Sequence, residues 1–126
     1  MEAMRVLLVD DEEELVTTLA ERLKIRGIEA TAVTSGKEAL DRIAAGEFDV
    51  VLLDVKMPGL GGIDVLRQIK NQQPRLPVIL ITGHVSSEDG EAGTRQGAFD
   101  CVVKPVNIDV LIGKMREAVA KGRGGR

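Results

Sequence analysis

The stretch Val50-Val51-Leu52-Leu53-Asp54-Val55-Lys56-Met57-Pro58-Gly59 decides the fold. Consecutive apolar residues run straight into a carboxylate, and a Pro-Gly turn follows almost at once. A run that is apolar on both faces reads as a central strand covered on each side, the mark of a parallel sheet between helices. Asp54 closes that strand at its carboxyl end, where open α/β sheets bind their ligands. By itself the acid could be a turn residue ahead of Pro58-Gly59. The remaining strands decide whether it belongs to a site.

Working outward, Met4 to Val9 is a short apolar strand that ends in Asp10-Asp11. Leu15, Leu19 and Leu23, flanked by Val16 and Ala20, then recur at helical spacing. Glu12 to Glu14 occupy the first turn, where the helix dipole favours negative charge, and Gly27 supplies a C-terminal stop. Ile28 to Val33 is a weaker strand, suited to an edge, and Ser35 caps a helix carrying Ala39, Leu40, Ile43 and Ala44. Past the opening stretch, Ile63, Leu66 and Ile69 mark a third helix, and Val78 to Ile81 form a doubly buried strand running into Thr82-Gly83-His84. Ser86 to Gln96 is expected as a helix by position, although Gly90 and Gly93 each cost about 1 kcal/mol relative to alanine. Cys101 to Val103 is a fifth strand ending in Lys104-Pro105, and Asn107 caps a last helix with Ile108, Leu111, Ile112, Met115 and Val119 on one side. Residues 4–120 thus form one domain, and Lys121 to Arg126, with no apolar content, is expected as a flexible tail or linker remnant.

Five alternating strand-helix units predict a doubly wound α/β domain with five parallel strands and five helices. Four strands end in a residue able to do chemistry: Asp10 and Asp11, Asp54, Thr82, and Lys104. The second strand ends in nothing comparable. In the order 3-2-1-4-5 that idle strand would part Asp54 from Asp10 and Asp11 by about 10 Å, too far to share one ion. The flavodoxin-like order 2-1-3-4-5 makes the four functional strands contiguous and sends the idle one to the edge.

Composition narrows the chemistry. The chain has 126 residues, enough to bury a core without disulfides or structural metal. Aromatic residues make up only 2%, so no platform for stacking bases or sugars is available, and a net charge of −3 argues against a broad nucleic-acid footprint. Cys101 is the only cysteine and can form no internal disulfide, as suits a reducing cytoplasm. Met1 to Arg5 lacks a signal-peptide pattern, and no apolar run approaches membrane-spanning length.

Three carboxylates in one crevice raise each other's pKa unless a cation joins them, and one lysine cannot balance three. A hard divalent ion that takes oxygen ligands and accepts a phosphoryl oxygen is the natural partner, which favours Mg²⁺, with Mn²⁺ also suitable. Lys104 and the Thr82 hydroxyl are then donors for an anion's oxygens, and Asp54 is a nucleophile for phosphoryl transfer. Taken singly, each residue has a plainer reading: Asp10 and Asp11 as helix caps, Lys104 as a solvated lysine, Cys101 as a small core residue, His84 as an exposed loop residue. Their coincidence at successive strand ends favours the site.

The chain resembles the receiver domain of bacterial two-component response regulators. The resemblance rests on the acidic pair in LLVDDEEE, the LLDVKMPGLGG segment, the Thr in LITG and the Lys-Pro in VVKP, each in order at a strand end. It implies that Asp54 is the phospho-acceptor, Asp11 a direct metal ligand, Asp10 a ligand largely through water, and Lys56 a ligand through its backbone carbonyl. It further implies that Thr82 and Lys104 bind phosphoryl oxygens and that the bond to Pro105 is cis, which only about 5–6% of X-Pro bonds are. It also implies that Lys56 and His84, two residues beyond Asp54 and Thr82, hold positions that tune how fast water removes the phosphoryl group. A histidine kinase or phosphotransfer protein is the implied donor, with an output protein or linked effector as the recipient of the signal. The chain departs from the family at Cys101, where Tyr or Phe is usual and swings inward on activation, and at Val106, where Phe is common. Output is therefore expected to pass through the glycine-containing fourth helix. A metal-dependent phosphatase would need a general acid and a capped substrate pocket, and no insertion provides one. A degenerate receiver acting only as a binding module is disfavoured by the complete set of site residues.

Overall fold

The computed structural model describes residues 4–46, 48–55, 61–83, 95 and 97–124. In chain order the elements are β1 (Arg5–Val9), α1 (Glu13–Ile25), β2 (Glu29–Val33), α2 (Gly36–Ala45), β3 (Val50–Asp54), α3 (Gly62–Gln72), β4 (Val78–Thr82), β5 (Asp100–Val103) and α4 (Ile108–Gly124). All strand pairings are parallel and the order is β2-β1-β3-β4-β5, with the idle second strand at one edge. The helix expected over Ser86 to Gln96 falls outside the described residues apart from Arg95, so four helices are seen among the described residues where five were expected.

The two-residue period of the strands divides the core in two. Val6, Leu8, Val50, Leu52, Ile79, Ile81 and Val102 face one way and pack with Val16, Ala20 and Leu23 of α1 and Leu111, Ile112 and Met115 of α4. Leu7, Val9, Val51, Leu53, Val78 and Leu80 face the other way and pack with Ala39 and Ile43 of α2 and Val65, Leu66 and Ile69 of α3. Strands β3 and β4 are buried along their whole length, as their unbroken apolar runs require.

The caps follow their side chains. Ser35 Oγ accepts a hydrogen bond from the Glu38 amide at 3.1 Å, and Asn107 Oδ1 accepts from the amides of Asp109 and Val110 at 3.0 and 3.1 Å. Gly27 takes a positive φ of 81° just beyond α1, a backbone shape that L side chains resist.

Two expectations change. In α1 the buried stripe is Val16, Ala20 and Leu23, whereas Leu15 is 42% exposed, so the inward face is turned by one residue from the Leu15-Leu19-Leu23 line. An i, i+4, i+7 set lies closer to a single line on the helix, and leucine spacing by itself cannot choose between neighbouring stripes. Secondly, α4 runs to Gly124, four residues into the expected tail. Lys121 explains the extension: its Nζ lies 3.4 Å from Glu117, one turn back, and 5.6 Å from the centre of the Phe99 ring.

Candidate functional site: an acidic crevice at the strand ends

Continuing the strand alternation by one residue builds the site. Asp10 follows Val6 and Leu8 on one face of the sheet, Asp54 follows Val50 and Leu52, and Lys104 follows Val102. Because β1 and β3 are neighbours, with Leu8 opposite Leu52 and Val9 opposite Leu53, the two acids emerge side by side. Asp10, Asp54 and Thr82 are the buried polar or charged residues among those described, at 6%, 5% and 1% exposure. Asp11, by contrast, is exposed at the mouth. Carboxylate oxygens of Asp10, Asp11 and Asp54 all lie within 4.8 Å of one another.

The backbone holds this arrangement. The Val55 amide donates to the Ile81 carbonyl at 3.0 Å and the Lys104 amide to the Thr82 carbonyl at 2.8 Å, carrying the sheet pairing to the edge of the crevice. Asp10 Oδ1 accepts from the Glu12 amide at 2.9 Å in a local turn ahead of α1, whose N-cap is Glu12, and its other oxygen faces Lys104 in the crevice. The Lys104–Pro105 peptide is cis.

Lys104 Nζ stands 3.5 Å from Asp10, 3.7 Å from Glu12 and 4.0 Å from Asp54. Burial pulls the ammonium's pKa down, but Asp10, Asp54 and Glu12, with the hydrogen bond to Asp10, more than offset it and hold the pKa above the ordinary lysine value. Lys104 is thus a fully charged donor at neutral pH. It faces the carboxylates of Asp10, Glu12 and Asp54, and with Asp11 in the same cluster this excess of hard oxygen ligands fits a divalent cation such as Mg²⁺.

Two contributors were not singled out from the sequence. Glu12 joins the Lys104 network, and its only sequence signal is being the third acid of the Asp10-Asp11-Glu12 run. Gly62 packs against the backbone of β3: a Cβ there would lie 2.6 Å from the carbonyl oxygens of Asp54 and Val55. The signal was the Gly61-Gly62 pair after the turn. Lys56 and His84 lie outside the described residues. Cys101 is half-buried and packs with the α2–α3 side of the core, where burial, and then the Asp100 charge, push its thiol pKa up. It behaves there as a small apolar residue.

The response regulator receiver domain family matches residues 6–116. The uncharacterized transcriptional regulatory protein YkoG of Bacillus subtilis is 40% identical over 119 residues, covering 94% of this chain and 52% of YkoG. The DNA-binding transcriptional regulator NtrC of Klebsiella pneumoniae is 36% identical over 113 residues, covering 90% of this chain and 24% of NtrC. This chain therefore spans about half the length of the first of these relatives and a quarter of the second. Among solved structures, a response regulator receiver domain protein from Clostridium thermocellum superposes with a TM-score of 0.91 at 31% identity, over 98% of this chain and 99% of that one. The chain belongs to the response regulator receiver domain family and is a signalling switch of the two-component type.

Proposed function

We propose that Asp54 is the phospho-acceptor of this switch, and that a histidine kinase or phosphotransfer protein is its donor. The observation that carries this reading is the meeting of the Asp10, Asp11 and Asp54 carboxylates under the Lys104 ammonium. An Asp54 carboxylate oxygen attacks the phosphorus of a phosphohistidine or an acyl phosphate. The new O–P bond forms as the bond to the leaving group breaks, and the leaving group keeps that electron pair. Dephosphorylation returns the phosphoryl group to water and restores the carboxylate, so the only substrate transformed is the domain itself.

Asp10, Asp11, Asp54 and the backbone carbonyl of Lys56 would hold Mg²⁺, or Mn²⁺ in its place. The bound ion supplies charge neutralisation for the phosphoryl oxygens. Lys104 exchanges its contacts with the acids for one on a phosphoryl oxygen, and the buried Thr82 hydroxyl donates to another. Lys56 and His84 tune water's access to the acyl phosphate, and Pro105 shapes the loop that carries Lys104. With Cys101 unable to act as a rotating ring, the signal leaves through residues 86–96 to an output protein or a linked effector. The relatives are named as transcriptional regulators, which supports a transcriptional output delivered outside this domain. Among the described residues no helix is long and apolar enough to cross a membrane, and we place the domain in the cytoplasm with the kinase's catalytic part.

Acetyl phosphate with Mg²⁺, followed by intact-mass measurement, tests the reading. One added phosphoryl group, lost in Asp54→Asn and on removing Mg²⁺, is the expected result. Release of phosphate with no labelled protein would instead favour a hydrolase, and the absence of both labelling and release would overturn the switch reading.

A further inference from the structure

A second cavity, of about 320 Å³, opens between α1 and the loop joining β5 to α4. Its floor is Leu8, Val16, Leu52 and Ile81, none more than 6% exposed. Leu15 and Leu19 of α1 form one lip, and Pro105 and Val106 form the other. The hollow follows from two features already described. The turned face of α1 leaves Leu15 at the surface, and Val106, shorter than the Phe common at its position, lines the hollow together with Leu19.

The two ends of the cavity differ in charge. Asp10 and Lys104 close one end, beside the acidic cluster, where a further anion is repelled. Thr18 and Arg22 line the other end, one helical turn apart on the same face of α1. Nine helical steps from Glu13 to Arg22 set the Arg22 backbone about 13 Å further along the axis from the acids. Among the described residues no salt bridge involves Arg22. A buried apolar floor with a hydroxyl-bearing and a guanidinium-bearing residue lining one end is the build of a small-ligand site. At about 30 Å³ per water-sized group, the volume takes on the order of ten non-hydrogen atoms.

We propose that this cavity binds a compact amphipathic carboxylate, with an aromatic or branched apolar body on the Leu8–Leu52–Ile81 floor and its acid group held by Arg22 and Thr18. Arg22 offers paired N–H donors to the carboxylate, and Thr18 adds a hydroxyl donor. The size limit is set by Val106 and Leu19, and the charge preference by the position of Arg22. The site does not rest on phosphorylation of Asp54.

The test uses 3-phenylpropionate as probe and its neutral amide as control, read by methyl NMR of the isotope-labelled chain. Saturable shifts confined to Leu8, Val16, Leu19, Leu52, Ile81 and Val106 are expected with the acid. Binding should weaken about ten-fold in Arg22→Gln, an exposed position, for loss of a charge-assisted contact. It should vanish in Val106→Phe, whose other methyl signals report that the fold is kept. Equal affinity for acid and amide, or no effect of Arg22→Gln, would overturn the proposal and point to an apolar side chain of a partner protein as occupant. The same shifts on raising protein concentration alone would assign the cavity to a second copy of the chain, and scattered or absent shifts would overturn it outright. No phosphoryl donor is present, so the result is independent of the labelling experiment on Asp54.

Discussion

Gly62→Ala tests how the end of β3, with Asp54, is held. Gly62 opens α3, and its amide donates to the Val55 carbonyl at 3.1 Å. An added Cβ would sit 2.6 Å from the carbonyl oxygens of Asp54 and Val55 and 2.7 Å from the Val55 Cα. Non-bonded carbons settle at about 3.5–4.0 Å, so the helix start and the end of β3 must part by roughly 0.5–1 Å. Overpacking of this kind costs about 1–3 kcal/mol. Alanine's helical advantage of about 1 kcal/mol applies to helix interiors and offsets little at the first helical residue. With a urea m-value of about 2 kcal/mol/M, a 2 kcal/mol loss lowers the unfolding midpoint by about 1 M at unchanged slope. The displaced carbonyl is Asp54's own, so labelling by acetyl phosphate should slow in the same variant. Gly61→Ala is the control: among the described residues its Cβ would meet nothing nearer than Asp64 Oδ2 at 3.9 Å, an ordinary contact, and both readouts should stay near those of the parent. A Gly62→Ala protein with the parent's midpoint and labelling rate, or a Gly61→Ala protein equally damaged, would refute the reasoning.

Three further outcomes are expected. Lys104→Met removes an ammonium 3.5 Å from Asp10 and 4.0 Å from Asp54, so calorimetry should show Mg²⁺ binding at least about three-fold tighter; unchanged or weaker binding would count against competition for the same acids. For Asp100, burial raises the carboxyl pKa, but the hydrogen bonds from Lys114 and the Cys101 amide and the Lys114 charge outweigh it, leaving the pKa below the ordinary value of 3.8. A carboxyl depressed in the folded state stabilises the fold above its unfolded pKa and loses that contribution as pH falls through the folded value, so Lys114→Met should raise the Asp100 pKa in a carbon-detected titration and remove that part of the acid-limb stability; an unmoved Asp100 titration would contradict it. Lys56→Ala or His84→Ala should alter the acyl-phosphate lifetime more than Mg²⁺ affinity, and unchanged lifetimes in both variants would dismiss the tuning role.

Much of this architecture is written locally. The apolar runs at Val50–Leu53 and Val78–Ile81 are long enough to need cover on both faces, which is the condition for a parallel sheet. The blank end of the second strand points to the strand order, because a shared ion demands neighbouring acids. Asp10, Asp54 and Lys104 fall on one face of the sheet because each extends the same alternation by one step, a property of strand geometry, and the strand order then brings them together.

The tertiary structure decided what depends on distance between segments far apart in the chain. Only packing selects Val16-Ala20-Leu23 as the inward stripe of α1, since the helix can turn by one residue without altering its spacing. Only proximity brings Glu12 to Lys104, Lys121 to the Phe99 ring, and the helix start at Gly62 within reach of the Asp54 carbonyl. The stretch from Val50 to Gly59 told by itself that Asp54 ends a buried strand. Its neighbours across β1 and β5 determine the charge that surrounds it, because electrostatic interaction falls with distance in space and takes no account of separation along the chain.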